Sequence, residues 1–96
     1  MGLYPLSWKE TQVPTISSFY GITIIMYLRD KEHMPPHIHA VMQDFAAPFL
    51  LETAEIMEGY FPPKAKSMVK DFITKYRSEL EEMWESGSYR KLPPIT

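Results

Sequence analysis

The sequence predicts an α+β fold, a small antiparallel sheet of three or four strands packed against one long C-terminal helix. Three observations carry that expectation. Short runs of β-branched and aromatic residues fill the first half of the chain, clearest at Ile22 to Arg29 and His37 to Met42. From Pro63 to Gly87 the apolar residues recur at helical spacing instead. Proline and glycine punctuate these runs, and 96 residues support one domain around one hydrophobic core. That domain is expected over residues 14–96, preceded by an extension over 1–13.

The extension, M-G-L-Y-P-L-S-W-K-E-T-Q-V, shows no sustained period and contains Pro5. It reads as a loose terminus, or as an arm that lays Tyr4 or Trp8 on a neighbour. Pro14 to Tyr20 (P-T-I-S-S-F-Y) leads to Gly21 and into I-T-I-I-M-Y-L-R. Ile22, Ile24, Met26 and Leu28 share one face of that run, while Thr23, Ile25 and Tyr27 make the other largely apolar too. A strand apolar on both sides belongs in the middle of a sheet.

The charged stretch from Arg29 to Met34 is a connector. Pro35 and Pro36 lack backbone donors and exclude helix, so the chain enters His37 extended. Alternation then places His37, His39 and Val41 on one face and Ile38, Ala40 and Met42 on the other. Gln43 and Asp44 suit a turn. Phe45 to Leu51 is extended again, with Pro48 confining it to a sheet edge or to a bulge. Glu52 to Glu55 turns the chain, and Ile56-Met57 suits a short last strand before Gly59.

Pro63 fits a first helical turn. The stripe Ala65, Met68, Val69, Phe72, Ile73, Tyr76, Leu80, Met83 and Trp84 is the core side of the predicted helix, and Gly87 is its stop. Lys64, Lys66 and Lys70 crowd the start while Glu79, Glu81, Glu82 and Glu85 crowd the end, the reverse of what the helix dipole favours. Burial of the stripe must outweigh that cost. The tail from Ser88, with Pro93 and Pro94, is expected to be extended, with Leu92 and Ile95 packing back.

Composition narrows the function classes. The absence of cysteine removes disulfides, thiolate zinc sites and cysteine nucleophiles, and it fits a cytoplasmic location. No apolar run approaches the roughly 20 residues that span a bilayer, and the N-terminus lacks the order of a signal peptide. A net charge of −2 gives no overall basic face for phosphates, so a nucleic-acid partner is not favoured.

Three histidines lie close together, His33, His37 and His39. Two on one strand face can converge on a divalent transition metal, with His33 as third ligand and Asp30, Glu32 or Asp44 as alternatives. The spacing matches no diagnostic zinc signature, and turn capping explains such imidazoles equally well. The same two rings suit general acid–base catalysis, with Arg29 or a lysine facing developing negative charge, as in phosphodiester cleavage. Met26, Met42, Met57, Met68 and Met83 fall on core or near-core faces, where thioethers fill gaps.

P-T-I-S at Pro14 to Ser17, F-Y-G-I at Phe19 to Ile22, Met26-Tyr27, P-P-H-I-H-A at Pro35 to Ala40, Glu58-Gly59, Pro63 and the helix reaching Trp84 form a recognisable set. On these residues the chain resembles the bacterial domain-of-unknown-function family 4160, with P-P-H-x-H-A as the specific element. It departs from that pattern in its first twelve residues, in Pro48 and in having Thr53-Ala54 where a glycine turn is common. The resemblance implies a small α+β domain and supplies no activity. It associates such chains with small partner genes of toxin–antitoxin type, and so with a regulatory role.

The expectation is a non-enzymatic interaction or regulatory module, as a homodimer or with a protein partner. Tyr27 and Arg29, with Lys66 and Lys70 of the basic helix start, are its candidate contact residues. The alternative is a nuclease-type or metal-binding enzyme centred on His37 and His39.

Overall fold

The computed structural model describes residues 14–27 and 34–95. The extension, and the connector that carries Arg29, Asp30, Glu32 and His33, lie outside the described residues. Among the described residues four strands, β1 (Thr15–Phe19), β2 (Ile22–Ile25), β3 (His37–Met42) and β4 (Phe45–Leu50), precede one helix, α1 (Pro63–Ser86). The strands form one sheet in chain order with every neighbouring pair antiparallel.

Period-two alternation decides which side of the sheet is buried. Ile22, Ile24, Ile38, Ala40, Ala47 and Phe49 are sealed on the side that meets α1, together with Ile16 and Phe19. From α1 come Ala65, Val69, Phe72, Ile73, Tyr76, Leu80 and Met83, so the helical stripe and the strand faces close one core between two layers. Phe19 and Phe72 meet across the seam with ring centroids 5.2 Å apart. Each large side chain so buried contributes about 1.5–3 kcal/mol, which outweighs the misplaced charges at the helix ends.

The helix termini follow from local sterics. Pro62 precedes the first turn, Pro63 opens it, and Gly87 at φ +76° donates its N–H to the Met83 carbonyl at 2.9 Å. Tyr76 departs from helical geometry at φ −111°, ψ 23° and bends the rod part-way. No helix among the described residues is long and apolar enough to cross a membrane.

Two strand assignments differ from expectation. The fourth strand is Thr15–Phe19, read from the sequence as an approach, whereas Ile56 makes only an isolated bridge to Phe49. A register shift between Thr15 and Ser17 explains why the first was hidden. This bulge turns Ile16 and Ser17 both inward, which breaks the alternation that marks a strand. β2 also stops at Ile25 rather than running to Arg29, although Met26 still donates to the Pro14 carbonyl at 3.2 Å.

Both sheet edges carry backbone hydrogen bonds from irregular segments. The tail crosses β1, where Leu92 N–H reaches the Ile16 carbonyl at 2.8 Å. Beside β4, Met57 N–H donates to Pro48 O at 2.8 Å and Leu50 N–H to Glu55 O at 2.9 Å. Pro48 therefore turns its donorless nitrogen away from β3, and the β3–β4 register runs unbroken from His37↔Leu50 to Met42↔Phe45. Of the two options for Pro48, the structure takes the edge and needs no bulge.

Candidate functional site

The proline-stiffened entry does place a strand beginning at His37. Pro36 O accepts Leu51 N–H at 3.0 Å, which ties the entry to the end of β4. Pro35 O lies 2.9 Å from His37 Nδ1. A carbonyl can only accept, so Nδ1 carries the proton and the tautomer is fixed by the turn.

His37 and His39 share a face, with ring centroids 5.0 Å apart, yet their settings differ. His37 is 1% exposed and His39 half-buried. The cause is Trp84, whose ring lies 5.1 Å from His37. A helix of 24 residues is about 36 Å long and a strand of six about 20 Å, so the last turns of α1 outrun the sheet and deliver Trp84 to its end. At the other side of the pair, Tyr27 meets His39 edge-on at 4.5 Å. The result is a continuous row, Tyr27, His39, His37, Trp84, running from half-exposed to sealed.

His39 opens onto the side of the sheet turned away from α1. Register places it between Ile25 of β2 and Pro48 of β4, with Thr23 opposite Val41 further along. Ile25, Val41, Pro48 and Leu50 are all partly exposed there. This outer face is apolar with one imidazole and one phenol set into it.

The remaining candidate residues are scattered. Asp44 sits in the β3–β4 turn, at the opposite end of β3 from His37, and so does not join the histidines. His33 and Arg29 lie outside the described residues. Among the described residues no three His, Cys, Asp or Glu side chains converge as a metal site would require. Lys70 Nζ binds Glu55 Oε2 at 3.0 Å, whereas Lys66 and Lys70 belong to the helix layer and Tyr27 to the ring row. Tyr27 and the two lysines stand on different elements, and Arg29 lies outside the described residues.

Sequence reasoning placed Trp84 in the core stripe but not against His37, because nothing local connects residues so far apart along the chain. It also passed over Tyr20, Phe45 and Tyr60, which rank among the most exposed large apolar side chains of the described residues.

Residues 21–85 match the family described as Domain of unknown function (DUF4160). The chain belongs to that family. The DUF4160 match runs from the β1–β2 turn almost to the end of α1, so it contains the P-P-H-I-H-A entry, both histidines and Trp84. β1 and the tail that crosses it fall outside the matched span. No curated protein and no solved structure matches the chain.

Proposed function

We propose that this DUF4160 domain is a non-enzymatic protein-interaction module that docks a folded partner, or a second copy of itself, on the outer sheet face. The observation that carries this reading is the contrast between partly occupied edges and an apolar outer face. Leu92 binds the β1 edge at Ile16, and the 55–57 segment binds the β4 edge at Pro48 and Leu50, so each edge is partly taken up and offers less to strand addition. The face bearing Ile25, Tyr27, His39, Val41 and Leu50 has no described helix or strand packed on it. Apolar area of this kind is usually covered in an assembly. His37, sealed and hydrogen-bonded at the turn, holds the rim of that face in shape.

A regulatory pairing of toxin–antitoxin type is a natural setting for such a module. Light scattering after size exclusion, with and without the product of an adjacent small gene co-expressed, tests it. Val41→Glu should abolish the association and leave circular dichroism unchanged. A monomer that co-purifies with nothing would sink the reading.

A second reading rests on the 5.0 Å separation of the two imidazoles. In it, His37 and His39 serve a nuclease-type or metal-dependent reaction, with His33 completing a divalent transition-metal site. RNA and DNA cleavage assays and elemental analysis of tag-free protein decide this, using His39→Ala, the variant at the less buried of the two rings. Equal activity in that variant, or none in the parent, removes it.

A further inference from the structure

At the turn end of the molecule the seam between sheet and helix is not fully closed. A groove of about 230 Å³ opens there between the β1–β2 turn and the first turns of α1. Buried Ile22 and Ala65 form its floor, half-buried Met42 and Met68 its sides, and exposed Tyr20 and Lys64 stand at its mouth. Cavities of about 150 Å³ take a benzene ring and small-molecule sites usually exceed about 300 Å³, so this one suits a single large apolar side chain. Methionine walls adapt to more than one shape.

The residue at its mouth is unusual. Tyr20 has φ +49° and is followed by Gly21 at φ +80° in a two-residue hairpin turn, where asparagine or glycine is the ordinary choice before glycine. A bulky ring is thus held in the left-handed region, 63% exposed. Phe45 pairs with Met42 across the β3–β4 turn and Tyr60 lies two residues before Pro62; their rings meet edge-on at 5.8 Å, with Tyr60 61% exposed. Large exposed aromatics are therefore concentrated at the end where the groove opens.

Charge selects the partner. Lys64 is the one charged residue on the groove lining. The first turn of α1 has no acidic residue, and no side chain caps it, so the positive end of the helix adds to the lysine.

We propose that the groove is a docking site for an acidic segment of another protein, one large apolar side chain filling it and an adjacent carboxylate meeting Lys64. It lies at the sheet–helix seam, apart from the outer sheet face, so failure at either surface leaves the other standing.

The test is a titration of the full chain, labelled at the methionine methyls, with the blocked peptide Ac-Asp-Leu-Glu-Phe-Asp-amide and its lysine-substituted counterpart. The acidic peptide should shift the Met42 and Met68 methyls. Lys64→Glu should weaken that response about tenfold or more and transfer preference to the basic peptide. Tyr20→Asn suits the turn better than tyrosine, so it should also weaken binding about tenfold without lowering the unfolding midpoint. Equal binding of both peptides, or unmoved methyls at millimolar peptide, would overturn the proposal. So would a shift of the same methyls on dilution alone, which would mean that a second copy fills the groove.

Discussion

His37→Ala separates the two roles that the histidine pair can play. The ring is 1% exposed, lies 5.1 Å from Trp84 and 5.0 Å from His39, and donates from Nδ1 to Pro35 O at 2.9 Å. Loss of that hydrogen bond costs about 1 kcal/mol, and somewhat more if the carbonyl is left without a partner. Each ring contact adds about 0.5–1.5 kcal/mol beyond area, and the vacated space adds a cavity penalty. Together these give roughly 2–4 kcal/mol, a large share of the 5–15 kcal/mol available to a small domain. At about 4–8 °C per kcal/mol, the midpoint should fall by roughly 10–30 °C. His39→Ala, at a half-buried position, should cost about 1 kcal/mol or less. Urea unfolding followed by tryptophan fluorescence reads both. If His37→Ala melts within error of the parent, or His39→Ala proves the costlier change, the assignment of His37 to the framework is wrong.

Three further outcomes follow from the same structure. Ser17 Oγ is buried without a hydrogen-bond partner among the described residues, so Ser17→Ala should stabilise the protein by about 1 kcal/mol in the same urea experiment; a loss would reveal an acceptor. Gln43 is exposed at φ +55° in the two-residue β3–β4 turn, and Gln43→Gly should raise stability by about 0.5–1 kcal/mol, with a lower midpoint as the refuting result. Burial raises the Tyr89 phenol above its usual range, so folding favours the protonated form. That contribution is complete below the ordinary phenol pKa of about 10 and is lost as pH rises past it, so Tyr89→Phe should flatten the alkaline fall in thermal midpoint, and an unchanged slope would contradict this.

Much of the architecture was legible because its causes are local. Pro63 and Gly87 bound the helix through steric rules that act within one turn. The two faces within β2 and within β3 follow from a side-chain period of two, and the antiparallel pairing of Ile25 with His39 then sets those residues on one side. β1 escaped notice because its bulge hides the period, and the edge at β4 meets the 55–57 segment through backbone bonds that leave no signature in side-chain pattern.

The site divides along the same line. By itself the sequence determined that two imidazoles stand together behind a rigid proline entry, since φ restriction and strand alternation need nothing from the rest of the chain. Only the tertiary structure decided that one of them is sealed, because the length by which α1 outruns the sheet brings Trp84 onto His37. It alone likewise showed Tyr20, Met42 and Lys64 around one opening, since the hairpin turn and the helix start meet only when the two layers pack.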